Sequence, residues 1–115
     1  MGILLLFPSQ EDTIFIHIEQ KVFDSMLDET TKQNEIETGG MMFGRISEAD
    51  SQIKIEILRI YIPPDDSCIR KRSFFEIDPA YAKKVLASEE FLYLGNWHKH
   101  LGYGGPSSGD HQQIR

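Results

Sequence analysis

Two histidines separated by one residue, followed by a glycine-rich stretch and an aspartate, form the pattern in this chain with the clearest chemical meaning. His98 and His100 lie at the end of an apolar run, and Asp110 follows the glycine-rich segment Leu101–Pro106. In an extended chain, residues two apart face the same side, so both imidazoles can converge on one ion. A catalytic zinc takes three protein ligands and leaves a fourth position for water. Asp110 can complete such a set if the glycines allow the loop to fold back.

An isolated His-x-His pair is weak support for a metal site, because most such pairs on strands are surface residues. The combination is more specific, since the pair is followed by a glycine-rich loop, by Ser107 and, three residues later, by Asp110. A serine at the N-cap places the third helical residue about one turn onward, where Asp110 can face the histidines. We therefore expect the loop to bring Asp110 back to the pair, with a last helix starting near Ser107.

A metal hydrolase also needs a carboxylate that takes and delivers protons. The sequence contains 18 aspartates and glutamates but no His-Glu-x-x-His motif, so this group must come from another segment. Glu37 is distinguished only by its position just before Gly39-Gly40, where small residues let the backbone approach closely. Composition and spacing leave the choice among the acidic residues open.

Together, these segments resemble the JAMM/MPN metalloprotease family, and in particular its small prokaryotic members. The resemblance rests on a glutamate on an early strand (Glu37–Gly44), then His-x-His, then Ser-x-x-Asp, in the family's order, and it covers roughly Ile14 to the C-terminus. It implies one α/β domain over residues 1–115, with the MPN-type (cytidine-deaminase-like) fold and a mixed sheet flanked by helices.

The resemblance also implies a role for each matching residue. His98, His100 and Asp110 match the zinc ligands, Glu37 matches the catalytic acid/base, and Ser107 matches the serine that stabilises the oxyanion. The implied activity is that of a deubiquitinase-like isopeptidase. It would hydrolyse a peptide or isopeptide bond at the C-terminus of a ubiquitin-like or sulfur-carrier-type protein, with a metal-activated water and no acyl-enzyme.

Two departures from the family pattern bear on this expectation. Leu101 replaces the proline that usually follows the second histidine, and six residues separate His100 from Ser107 where seven are usual. The shorter loop would let Ser108 take the oxyanion role, although only Ser107 keeps the Ser-x-x-Asp spacing. Family domains also continue with more helix and at least one strand beyond the point corresponding to Asp110, so the expectation is either a domain truncated at its C-terminus or a minimal version of it.

Two other functions stay open at this stage. A non-catalytic MPN module would bind a ubiquitin-like tail or scaffold an assembly, but inactive relatives typically lose a histidine or the aspartate, and this chain keeps both types. A zinc hydrolase of small molecules on the deaminase-like fold is less favoured, because the Cys-x-x-Cys signature of nucleobase deaminases is absent. Cys68 is the only cysteine and has no histidine near it in sequence, which argues against a cysteine nucleophile.

Composition restricts the partners and the compartment. With 40% hydrophobic and 26% charged residues, the chain has the balance of a soluble globular protein. A net charge of −6 disfavours nucleic-acid binding, and the one basic cluster, Arg70-Lys71-Arg72, is interpreted as a solvated loop. The single cysteine predicts a cytoplasmic protein. The apolar run Ile3–Phe7 is too short for a membrane segment and is expected to be a strand.

Hydrophobic periodicity predicts the elements that would position these residues. Alternation predicts strands at Thr13–Glu19 and Gln52–Ile62, and helical spacing predicts a helix over Gln20–Thr30. Asp78-Pro79 is typical of a helix start, with Asp at the N-cap and Pro at the first helical position. Shorter apolar runs predict buried strands at Met41–Phe43 and Phe91–Trp97 and a further strand at Ser73–Ile77.

Overall fold

The fold is a mixed α/β arrangement of seven strands, two α-helices and one short 3-10 helix (Asp65–Ser67) within the part of the chain that the computed structural model describes, residues 2–8 and 13–99. The mixed α/β class and the flanking helices expected from the sequence are confirmed. The elements in chain order are β1 (Gly2–Pro8), β2 (Thr13–Glu19), α1 (Gln20–Lys32), β3 (Thr38–Ala49), β4 (Gln52–Tyr61), β5 (Cys68–Lys71), β6 (Phe74–Ile77), α2 (Pro79–Ser88) and β7 (Leu92–Lys99).

Five of the strands form one mixed sheet in the order β1-β2-β4-β3-β7. β2 and β4 run parallel, whereas the other neighbouring pairs are antiparallel. β5 and β6 form a separate antiparallel pair. No helix among residues 13–99 is long and apolar enough to cross a membrane.

The two helices pack on opposite faces of the sheet. Met42 of β3 belongs to the same apolar core as Val22 of α1, whereas Met41 belongs to a second core with Val85 of α2. Neighbouring strand residues point to opposite faces, so the alternation along β3 separates the two cores. We call these the α1 face and the α2 face of the sheet.

β3 is much longer than the sequence indicates. The expected strand Met41–Phe43 is the buried part of a strand of 12 residues, whose second half, Arg45–Ala49, is exposed. This half pairs with β4 in a hairpin closed by Asp50 and Ser51, which have φ values of 48° and 62°. Two consecutive residues with positive φ make the tight turn that matches strand twist. The expected end of the strand at Phe43 is wrong, because the run of buried residues stops at Gly44 while the pairing with β4 continues to Ala49.

β5 and β6 overturn the interpretation of residues 70–72 as a solvated loop. β5 pairs with β6 in the register Arg70↔Phe75, and the Arg70 side chain is only 7% exposed. Lys71 and Arg72 are exposed, as expected. The interpretation is wrong for Arg70 because a buried carboxylate, that of Glu29 on α1, lies 3.6 Å from its Nε atom.

β7 pairs only with β3 among the described strands and therefore forms an edge of the sheet. A strand is confirmed here, but it runs to Lys99 and so includes His98. Trp97 is buried, whereas Leu92 and Tyr93 are 54% and 40% exposed. The expectation of a buried strand is therefore wrong for the first half of β7. This strand lies at the edge of the described sheet, where fewer neighbours cover its side chains.

Candidate active site

The described residues include two of the five predicted site residues, Glu37 and His98. The other three, His100, Ser107 and Asp110, lie outside the described part of the chain, as does the loop expected to return Asp110 to the histidines. Within residues 13–99 no three histidine, cysteine, aspartate or glutamate side chains cluster as a metal site requires, and two of the three predicted ligands fall beyond that range.

The β3–β7 ladder brings Glu37 and His98 to neighbouring positions. In this ladder Gly39 pairs with His98 and Thr38 pairs with Lys99. Glu37 directly precedes Thr38, so it is the diagonal neighbour of His98, a relation that typically corresponds to about 7–8 Å between Cα atoms. Gly39 and His98 are a directly paired couple and lie on the α2 face, and Glu37 immediately precedes the first residue of β3.

Gly39 keeps the space beside His98 open. A Cβ atom added at this position would lie 2.1 Å from the carbonyl oxygen of Trp97 and 2.7 Å from the Cβ atom of His98. The nearest of these atoms belongs to the backbone and cannot move aside cheaply. Glycine is therefore required for β3 and β7 to approach this closely beside His98.

Glu37 is held in place through its backbone. The residue is 7% exposed, and its amide N–H donates to the carbonyl oxygen of Lys71, at the end of β5, over 2.8 Å. The next residue, Thr38, is held from the α1 face by two further hydrogen bonds. The Thr38 hydroxyl donates to Glu29 Oε2 at 2.6 Å and accepts from Arg70 Nε at 2.8 Å.

His98 is half-buried and lines a cleft of about 290 Å³ between β7 and β6. Phe75 and Glu76 form one side, and Tyr93 and Asn96 form the other. The Tyr93 hydroxyl donates to Asn96 Oδ1 at 2.7 Å, and burial raises the pKa of Tyr93 above its usual 10.0. The protonated tyrosine and its asparagine partner therefore give this side of the cleft a polar, hydrogen-bonded character.

A larger groove of about 660 Å³ lies at the other end of β3, around Gly44 and Leu92. None of its lining residues belongs to the predicted site. Of the two, only the smaller cleft is lined by a predicted site residue, His98.

Two residues with a structural part in this region were not singled out by the sequence. Arg70 was treated as one of three equivalent basic residues, and Lys99 as the variable position of His-x-His. Lys99 carries a usable signal, because a strand residue between two histidines must point away from them and toward α1. Arg70 carries no such signal, since its buried partner Glu29 lies on a distant helix.

No protein-family model matches the sequence, and no curated protein is significantly similar to it. The site is therefore defined by its own geometry. His98 lines a cleft and pairs with Gly39, and the buried residue Glu37 lies two positions before that glycine.

Proposed function

We propose that the chain is an MPN-type domain with the activity of a JAMM metalloprotease. It would hydrolyse a peptide or isopeptide bond at the C-terminus of a ubiquitin-like or sulfur-carrier-type protein. The observation that supports this most directly is the pairing of Gly39 with His98, which puts the histidine opposite a glycine only two residues from Glu37. That arrangement fits a metal ligand with an adjacent acid/base.

In this proposal His98, His100 and Asp110 hold zinc. When bound, zinc lowers the pKa of a coordinated water to about 7 and polarises a carbonyl. Glu37 accepts a proton from the attacking water and delivers it to the leaving amine. Ser107 donates a hydrogen bond to the oxyanion of the tetrahedral intermediate.

The cleft beside His98 supports a narrow protein segment as the substrate. At about 290 Å³ it lies near the lower end of the range for ligand pockets, roughly 300–1,000 Å³. Such a volume accommodates a few residues of extended chain but not a folded surface. A flexible C-terminal tail with small residues fits this cleft, and the folded part of the substrate would remain outside.

The decisive experiment separates zinc binding from turnover with Glu37→Gln. The amide keeps the shape of the side chain but cannot take up the proton, so we expect kcat to fall about 100-fold or more. Zinc content should stay near one per chain, because Glu37 is not a proposed ligand. The measurements are elemental analysis and hydrolysis of a panel of ubiquitin-like proteins fused through their C-termini to a reporter, with and without zinc.

Glu35→Gln is the matched control, because Glu35 lies two residues earlier and is exposed. It should retain full activity. Protein that takes up no zinc on titration would contradict the metal assignment. Zinc-loaded wild-type protein that binds these tails but cleaves none would instead identify the non-catalytic module. Loss of zinc in Glu37→Gln would show that the roles of ligand and base are wrongly assigned.

A further inference from the structure

Lys99, the residue between the two histidines, places its ammonium against the end of α1. Its Nζ atom donates to the carbonyl oxygens of Thr30 at 3.1 Å and Asn34 at 3.4 Å, and also to that of Gln33. The last carbonyls of a helix lack intrahelical partners and carry the negative end of the helix dipole. An ammonium has three donors and no acceptor, so these three carbonyls satisfy it.

This contact joins the two segments that carry the described site residues. The turn that accepts the hydrogen bonds leads directly from α1 into Glu37. Lys99 itself adjoins His98 and pairs with Thr38, the neighbour of Glu37. One ammonium thus fastens the end of the histidine strand to the turn that precedes the glutamate.

The lysine acts from the face opposite to the site. His98 points to the α2 face, where the cleft lies, and Lys99 points to the α1 face because neighbouring strand residues alternate. The side chain therefore fixes the strand without entering the cleft that His98 lines. A helix cap alone would need only a residue close to α1 in sequence, whereas this donor lies 65 residues beyond Asn34.

We propose that Lys99 is a positioning residue that sets the distance between Glu37 and His98 through the carbonyls of Thr30, Gln33 and Asn34. The inference rests on the proposed hydrolytic function for its kinetic consequence, but not for its structural one. The competing explanation is a helix cap that contributes stability alone.

The structural consequence is tested in the metal-free protein by native-state hydrogen exchange of Lys99→Met, which keeps the apolar stem and removes the ammonium. The Glu37 amide, which donates to Lys71, should exchange at least about tenfold faster, through local opening of the turn. Amides of the central strand β4 should change less. Lys83→Met, on the exposed side of α2, is the control and should leave the Glu37 amide unchanged.

The kinetic consequence is tested in the zinc-loaded protein with the same reporter fusions. Lys99→Met should lower kcat about 10–100-fold with little change in KM, because small misplacements of reacting groups have effects of that size. Zinc should still bind at saturating concentration. Lys83→Met should retain the wild-type kcat.

Chemical rescue shows whether the ammonium itself is required. Lys99→Cys is made in a Cys68→Ser background and alkylated with 2-bromoethylamine, which restores a side chain of similar length ending in an ammonium. Alkylation with 1-bromopropane gives a side chain of the same length without charge. We expect 2-bromoethylamine to restore most of kcat and to return the exchange of the Glu37 amide to its slow wild-type rate. We expect 1-bromopropane to restore neither.

Three results would overturn the inference. The first is that Lys99→Met keeps both the wild-type exchange rate of the Glu37 amide and the wild-type kcat. The second is that the Glu37 amide and the β4 amides are accelerated equally. The third is that both alkylating reagents rescue the variant equally. If wild-type protein hydrolyses none of the reporter fusions, the proposed function fails, and the exchange measurement alone still decides whether Lys99 holds the turn before Glu37.

Discussion

At the scale of single residues, Glu89 shows how the protein keeps a shielded carboxylate ionised. Its side chain is 0% exposed, where the turn between α2 and β7 meets β4. Burial raises its pKa, but hydrogen bonds from the Phe91 amide at 2.8 Å, the Tyr61 hydroxyl at 2.7 Å and the Arg59 guanidinium at 2.7 Å outweigh burial. The net effect lowers the pKa of Glu89 from 4.5 to about 2.

This lowered pKa predicts a pH-dependent contribution to stability. The folded pKa lies below the unfolded one, so the contribution is present above pH 4.5 and is lost as the pH falls toward 2. Glu89→Gln should reduce the free energy of unfolding at pH 7 by about 1.5–3 kcal/mol, the range for hydrogen bonds to a charged group. The difference between wild type and variant should shrink steadily between pH 4.5 and 2. Urea unfolding across this range measures it.

The adjacent residue supplies the control. Glu90 is exposed, so Glu90→Gln should change stability by less than about 0.5 kcal/mol at any of these pH values. A Glu89→Gln penalty that stays constant from pH 7 to pH 2.5 would show that the network stabilises by shape alone and that the carboxylate charge is irrelevant.

At the residue scale, sequence reasoning identifies chemical types but not environments. His98 and Glu37 were selected by motif and resemblance, and their placement on one face follows from a pairing that no local pattern contains. The buried state of Arg70 could not be predicted, because it depends on Glu29, 41 positions away in the chain. Lys99 could have been placed on the α1 face by strand alternation, but its three carbonyl partners depend on where α1 ends.

At the scale of elements, the small β5–β6 sheet is fastened to the start of β3 by Arg70. The guanidinium contacts Glu29 on α1, donates to the Thr38 hydroxyl, and donates to the Pro63 carbonyl oxygen at 2.6 Å. The side chains of Arg70 and Glu29 are each 7% exposed. This group of contacts therefore connects three separate elements around the backbone that carries Glu37.

A buried ion pair of this kind is sensitive to the loss of one partner. Arg70→Met leaves the Glu29 carboxylate buried without its cation, and should lower the free energy of unfolding by about 3–5 kcal/mol. Adding Glu29→Gln to Arg70→Met should recover part of the loss, because the amide still accepts from Thr38 but carries no charge. A double-mutant cycle by urea unfolding measures the coupling, which we expect to lie in the range of about 0.5–3 kcal/mol.

Arg72→Met is the matched control, because Arg72 is exposed and lies two residues further along the chain. Its effect should stay within about 0.5 kcal/mol. If the Arg70 and Glu29 substitutions prove additive, the two side chains do not stabilise each other, and the β5–β6 sheet is held by other contacts.

Elements with a strong local signal were predicted best. The alternation at Thr13–Glu19 corresponds to β2 without change, and the helical spacing and the Asp-Pro start correctly locate α1 and α2. β5 and the second half of β3 were missed, because both are short on apolar residues and are strands only through their pairing partners. Such pairing is a property of the assembled sheet, and the sequence of an exposed polar segment contains little signal that predicts it.

At the scale of the whole molecule, the two cores described within residues 13–99 do not include His98, the one proposed metal ligand in that range. One core joins α1 to the sheet through residues such as Ile16 and Ile57, and the other joins α2 through Phe43 and Val85. The apolar contacts of these two cores are therefore independent of His98.

This independence predicts a folded metal-free protein. Treatment with a strong chelator should remove zinc and leave the far-UV circular dichroism unchanged, while zinc at 100 times its Kd should stabilise the fold by about 2.7 kcal/mol through mass action. Thermal unfolding with and without zinc measures the second effect. Glu37→Gln should show the same stabilisation, since the ligands are unchanged. Collapse of the dichroism on chelation would make the metal structural and weaken the enzymatic proposal.

The hairpin of β3 and β4 gives the molecule a practical attachment point. Its closing turn, Asp50-Ser51, is exposed and lies eleven residues along β3 from Gly39, a distance of roughly 35 Å at the usual rise of an extended strand. Exposed turn tips are the places where inserted domains and new chain termini are best tolerated. A fluorescent label or an affinity handle introduced between these two residues would report on the protein from the end of the sheet remote from the cleft that His98 lines.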